Sequence, residues 1–329
     1  MGTIFDYISK NKNRITKDNF NPLDSLILAR LSYLPIYKIL EKNESMKLKR
    51  ILSILECFSE KMFLDYKNDI KLIKLLILSS RFNELVVSDC VENVDEKTFE
   101  QFGAVVIDLG FEKYISFKGT DKSIIGIKED LDMSYKDIPS QKEALRYFEY
   151  ISDKYTDNFI LGGHSKGGNI ALYSAIYTSF DKQDRIDKIY NFDGPGFLPE
   201  VLNYVGYDNI LNKIITILPT SSVIGLLLNR KEKVKLVSSS NFFVMQHDLY
   251  SFEVKNNDFK YEKNLTKISK YTNELMSKLQ VSLNDSQKKV IIDNIYNFVE
   301  NEQIKNLNEI SVKSLIKVIK EKIKKEREK

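Results

Sequence analysis

One short segment limits the folds open to this chain more than any other. It is LGGHSKGGNIALYSA, residues 161–175, in which Ser165 lies between paired glycines directly after the apolar stretch NFIL at 158–161. Four of the chain's 13 glycines fall here. Gly163, Ser165 and Gly167 read as G-x-S-x-G, the residues before them as a buried strand, and residues 166–179 as a helix. A strand that turns into a helix over so few residues forces the serine into a strained backbone conformation. The flanking positions then pass so close to strand and helix that a Cβ would collide. The serine hydroxyl would stand at the C-terminal edge of a sheet. The N–H of the next residue, Lys166, would open a helix whose N-terminus favours negative charge. A phosphate-loop reading of HSKGGN fails, because G-x-x-x-x-G-K-[ST] is absent.

The surrounding pattern is α/β. Asn21 caps a helix starting at Pro22, with Leu23, Leu26, Ile27 and Leu31 on one face until Pro35, and apolar-periodic helical segments follow at about 45–63 and 68–79. From Glu84 the texture changes. Val86 to Val94, GAVVIDL at 103–109 and KYISF at 113–117 read as successive hairpin strands. After a helix over about 141–154, strands are expected at 158–161, 188–192 and 213–218, and near NFFVM at 241–245. The last 65 residues return to helix, marked by Leu265 to Leu279, Val290 to Phe298 and Val312 to Ile319. The expected architecture is an α/β-hydrolase-type mixed sheet with antiparallel N-terminal hairpins and helices on both faces. A helical region over 1–83 and a helical extension over 259–329 flank a core at 84–258.

A serine hydroxyl needs a base, and the chain has two histidines. His164 adjoins the serine on a sharp turn, where neighbouring side chains diverge, which makes it a packed support of the elbow together with Gly163, Gly167 and Gly168. His247, in VMQHDLYSF after the last expected strand, is the candidate base; otherwise it is a surface histidine and the chain has none. The carboxylate that would orient it is Asp193, in YNFDGPGF after the strand that follows the elbow helix. An Asx-type turn is the alternative reading of Asp193. Asp248, Asp208 and Glu200 are poorer candidates.

FKGT at 117–120, followed by the EDL of IKEDLDMSY, resembles the FRGT...DL signature of class 3 lipases, and GHSKGG resembles their GHSLGG. Including TIFDYI, LILARLSYL, YNFDGPGF and QHDLYSF, the chain as a whole is similar to a bacterial α/β-hydrolase family related to those lipases. The resemblance implies Ser165 as nucleophile, His247 as base, and Thr120, through its N–H and its hydroxyl, as the partner of Lys166 in an oxyanion hole. Two departures stand out. ILPTSSVIG, where class 3 lipases usually carry their acid, offers Ser221 and Ser222 and no carboxylate. Lys166 replaces a commoner apolar residue, either as a solvated helix-surface lysine or as a cation favouring anionic substrates.

A net charge of +4 is too small to argue for nucleic acid. Two histidines and no thiolate pair speak against metal catalysis, and no cofactor is implied. Cys57 and Cys90 read as small core residues of a protein in a reducing compartment. The N-terminal stretch lacks an apolar run of signal-peptide length, so the expected location is cytoplasmic. SVKSLIKVIKEKIKKEREK, at 311–329, suits peripheral contact with an anionic membrane or docking on its own protein. The apolar helix at 22–34 and the LLL at 226–228 suit an acyl-binding cleft, a lid or plain core. The expected function is a serine ester hydrolase acting on a small-molecule or lipid acyl ester. Thioesterase and peptidase chemistry use the same apparatus. A catalytically silent binding or regulatory protein on the same scaffold is the alternative class.

Overall fold

A computed structural model describes residues 2–41, 43–121, 123–267, 269–271, 273–274, 284–290 and 293. The chain starts with α1 (Ile4–Lys10) and α2 (Pro22–Leu31). Asn21 caps α2 by accepting from Leu23 N (2.9 Å), while Asp24 reaches back to Asn21 N (3.0 Å) and Pro22 occupies the first turn. The segment expected as one helix over 45–63 begins instead as a short strand, β1 (Ser45–Lys47), because its backbone pairs antiparallel with residues 86–88. The helix α3 (Leu48–Leu55) ends early, and Cys57, expected in the core, is exposed just beyond it. α4 (Tyr66–Ile77) completes the N-terminal helices.

Strands β2 (Val86–Asp95), β3 (Glu100–Asp108) and β4 (Lys113–Phe117) form the expected antiparallel meander. Two helices follow, α5 (Ile124–Asp132), which the sequence reading did not anticipate, and α6 (Pro139–Lys154). The chain then alternates through β5 (Phe159–His164), α7 (Lys166–Tyr177), β6 (Ile186–Phe192), β7 (Ile214–Pro219) and β8 (Val234–Val237), with strands β4 to β8 parallel. A small hairpin, β9 (Val254–Lys255) and β10 (Asp258–Phe259), turns at Asn256 and Asn257, both at positive φ, and β11 (Tyr261–Glu262) closes the far edge. The sheet order is β1-β2-β3-β4-β5-β6-β7-β8-β11. This is the mixed sheet of an α/β-hydrolase.

The two faces of the sheet bury two cores, and strand alternation decides which residue joins which. Val105, Ile107, Tyr114, Ile160 and Tyr190 pack with α1 to α4 in one cluster, whereas Ala104, Val106, Ile115, Leu161 and Ile189 pack with α6 and α7 in the other. Leu23, Leu26, Ile27, Leu28 and Leu31 of α2 are fully buried, so this helix is core packing and not an open acyl cleft or a lid.

NFFVM is not a strand. Residues Phe243–His247 form a 3-10 helix, and the last core strand is β8, ten residues before His247. An unbroken apolar run without alternation does not specify a strand. Phe242 is 86% exposed here, and the segment is tied down by Gln246, whose side chain accepts from Ser221 N (2.8 Å). Most of the expected C-terminal helical extension, including the basic segment 311–329, lies outside the described residues. Among those residues no helix is long and apolar enough to cross a membrane, and no group of three or more His, Cys, Asp and Glu side chains could hold a metal ion.

Candidate active site

Ser165 stands between β5 and α7 with φ +58° and ψ −132°. Its N–H donates to Phe192 O on β6 (2.9 Å), and its carbonyl accepts from Gly168 N (2.9 Å), so the strained turn is locked from both sides. The glycines make the turn possible. A Cβ on Gly163 would lie 2.2 Å from Gly167 C, and one on Gly167 would lie 2.2 Å from Phe117 O; Gly168 faces Asn191.

The structure brings His247 and Asp193 to this serine. Ser165 Oγ lies 2.9 Å from His247 Nε2, and His247 Nδ1 lies 2.7 Å from Asp193 Oδ2. With Nδ1–H donating to the buried carboxylate, Nε2 is left as the acceptor for the serine proton. Asp193 leaves β6 at φ +52°, its N–H donating to Ile217 O (2.9 Å). Its second oxygen, Oδ1, accepts from Ser222 Oγ (2.5 Å). Ser222 sits after β7, in the stretch noted for lacking a carboxylate, and its contact with Asp193 was not foreseen. The other carboxylates are engaged elsewhere: Asp248 accepts from Tyr250 N, and Asp208 pairs with Lys231.

His164 backs the second histidine. Its ring lies 4.5 Å from that of His247, and its Nε2–H donates to His247 O (2.7 Å), leaving Nδ1 to face the Tyr33 hydroxyl (3.2 Å). Burial, reinforced by His247, holds the His164 imidazole well below the ordinary histidine range, so it stays neutral. Farther back, Arg30 forms two bonds of 2.8 Å to Asp69, and Tyr250 OH donates to the same carboxylate (2.6 Å). Helices α2 and α4 thereby fasten the segment just beyond His247. Tyr33 and Arg30 lie in LILARLSYL, and no spacing signal in the sequence links them to the histidines.

On the opposite side, the loop after β4 lies against the elbow. The positions 117–119 crowd Gly167, and Gly119 crowds His164 O. The Thr120 hydroxyl does not point outward, because it donates to Asp130 Oδ1 (2.7 Å) and has no second proton to offer. What Thr120 leaves available is its N–H. Among the described residues, neither that N–H nor the N–H of Lys166 meets an acceptor. Burial pushes the Asp130 carboxyl up to about 6, against the pull of Lys166 and the Thr120 bond.

Lys166 is neither a solvated surface lysine nor a cation open to substrate. Its side chain is fully shielded and pairs with the equally shielded Glu129 (2.6 Å), with a further bond to Gln101 O (2.7 Å). Partners 37 and 65 residues away removed it from solvent, and a helix-surface argument has no access to them.

A family model described as Mbeg1-like matches residues 76–297, more than half of the 329. The chain belongs to the Mbeg1-like family. Among curated proteins, none matches the sequence of this Mbeg1-like chain. Solved structures similar to it include the Rhizomucor miehei lipase propeptide complex, at 14% identity, 72% of this chain and 81% of that one, and TM-score 0.44. The lipase from Rhizopus microsporus var. chinensis matches at 12% identity, over 79% and 84%, with TM-score 0.43. Lip2 lipase from Yarrowia lipolytica matches at 11% identity, over 70% and 82%, with TM-score 0.40. The fold of this Mbeg1-like protein is the mixed α/β sheet described above, with Ser165 at the turn from β5 into α7.

Proposed function

We propose that this protein is a serine hydrolase that cleaves an acyl ester, of a lipid or a small molecule, through an acyl-enzyme. The observation that carries the reading is the unbroken contact from a serine at φ +58° through an imidazole to a buried carboxylate, at 2.9 Å and 2.7 Å. Ser165 Oγ attacks the ester carbonyl while His247 Nε2 takes its proton, and Asp193 holds the ring in that tautomer and stabilises the imidazolium. The carbonyl oxygen, now negative, lies against the N–H groups of Thr120 and Lys166. His247 then delivers the proton to the leaving alkoxide, and the acyl group remains on Ser165. Water, deprotonated by His247, attacks the acyl-enzyme; the carboxylic acid leaves and Ser165 regains its proton. The cysteines Cys57 and Cys90, free in the structure, suit work in the cytoplasm.

The test is covalent. A fluorophosphonate probe labels Ser165, labelling disappears in Ser165→Ala, and it is strongly reduced in His247→Ala. A wild-type protein that neither takes up the probe nor hydrolyses p-nitrophenyl esters would remove the proposal. Parallel rates with matched acyl esters, thioesters and peptides separate the three chemistries this apparatus can serve.

A further inference from the structure

We propose that the buried Lys166–Glu129 ion pair is the positioning device that holds the two N–H donors of the oxyanion site at a fixed separation. It rests on the hydrolase reading above, since an oxyanion site matters only if Ser165 attacks a carbonyl. Lys166 occupies both ends of the arrangement. Its backbone N–H opens α7 beside Ser165, and its side chain runs inward to the structure that carries Thr120.

Two hydrogen-bonded routes lead from Lys166 Nζ to Thr120. The first passes through Gln101 on β3, which receives Nζ at its backbone oxygen (2.7 Å) and at Oε1 (3.3 Å). The Gln101 side chain grips both neighbours of Thr120: Oε1 accepts from Asp121 N (3.3 Å), and Nε2 donates to Gly119 O (3.5 Å). The second passes through α5. Glu129 Oε2 receives Nζ (2.6 Å), and Asp130, the next residue on the helix, holds the Thr120 hydroxyl (2.7 Å). Glu129 is itself fixed by Ser140 N (2.9 Å) and Gln101 N (3.2 Å), so α5 is tied to α6 and β3 at the same point.

The energetics favour positioning over stability as the reason for the pair. Both side chains are fully removed from water. Exchanging a buried ion pair for a well-packed apolar pair of the same volume is often neutral or stabilising, so the charges themselves are weak evidence of a stability role. An apolar pair lacks direction. Three donors on one ammonium, shared among Glu129 and two oxygens of Gln101, fix angles as well as distances. Oxyanion donors act only when they sit within a few tenths of an ångström of the place where charge develops. Lys166 and Glu129 are therefore positioning residues, acting through Thr120 and through the Lys166 backbone.

The experiment uses the full chain with p-nitrophenyl butyrate as probe, comparing wild type, Lys166→Met/Glu129→Leu and Glu129→Gln. Wild-type hydrolysis and fluorophosphonate labelling are measured first; if both are absent, the parent reading fails before any variant is scored. With wild type active, the double variant melts below wild type, because Ser140 N–H and Gln101 N–H lose their acceptor, but it still folds cooperatively at about 25 °C, and there its kcat falls about 10- to 100-fold while KM stays within about threefold. The rate of fluorophosphonate labelling falls in the same proportion. A cooperatively folded double variant with kcat within twofold of wild type overturns the proposal, as does a raised KM at unchanged kcat. If the double variant does not fold, Glu129→Gln, which keeps the side-chain volume and an acceptor for Ser140 N–H, is judged by the same split.

Discussion

The two sides of the serine are built by opposite means. On the histidine side, three side chains touch in series, and His247 remains 28% exposed, free to exchange a proton with whatever enters. On the oxyanion side the chemistry we assign belongs to backbone N–H groups, with the charged side chains Lys166 and Glu129 sealed behind them and the half-buried Asp130 holding the Thr120 hydroxyl. A group that must change protonation needs access and a partner that selects one tautomer. A group that must only stay in place needs neither. Removing parts from the first side should abolish turnover, and removing parts from the second should degrade it in steps.

The largest expected effect is the loss of the series itself. Ser165→Ala and His247→Ala each lower kcat by about 10⁵- to 10⁶-fold, and the double variant is no worse than either. Additive losses, read by steady-state hydrolysis, would mean that the two residues do not act as one unit. Next comes Asp193→Asn, for which we expect a fall of about 10³- to 10⁴-fold with the fold intact, because the amide favours the wrong imidazole tautomer. A drop of less than tenfold would remove Asp193 as the orienting acid.

Asp130→Asn carries the comparison to the other side and changes rate and stability in opposite directions. Burial raises this carboxyl to about 6 from an ordinary 3.8, so the folded chain holds a proton there more tightly than the unfolded chain does. The stability penalty of the ionised group is absent below the unfolded value, grows as pH rises through about 6, and is complete above it. It amounts to about 3 kcal/mol at most. Urea melts should therefore show Asp130→Asn more stable than wild type at pH 8, with the gap shrinking towards pH 5, while kcat falls about tenfold as the grip on Thr120 loosens. A gap independent of pH would contradict the assignment. The smallest effect is Ser222→Ala, which leaves Asp193 Oδ1 short of a donor and should lower kcat by roughly threefold to tenfold, judged by the same assay.

The difference between the sides also governs what the sequence disclosed. The elbow was legible because glycines at 163 and 167 answer a local steric demand. His247 followed from there being two histidines, one of them adjacent to the serine, and Asp193 from its place after β6. The oxyanion side depends on contacts between segments far apart. Lys166 looked like a surface residue because its helix position, taken alone, gives no hint of Glu129 or Gln101. α5 is hard to read from IIGIKEDLD, which carries a glycine and four charges, because Lys128, Glu129 and Asp132 pair in the interior and the half-buried Asp130 bonds Thr120. NFFVM is more apolar than VKLV and reads as the better strand, yet pairing with β7 decides the matter, and VKLV has that pairing.

The shared core between α1 to α4 and one face of the sheet bears on how this protein can be handled. A fragment trimmed to begin near Glu84 would present Val105, Ile107, Tyr114, Ile160 and Tyr190 to water as one greasy wall, and would strip Tyr33 from His164 at the same stroke. Such a piece should clump when expressed alone, so attempts to isolate a minimal α/β module from this chain ought to retain its opening helices.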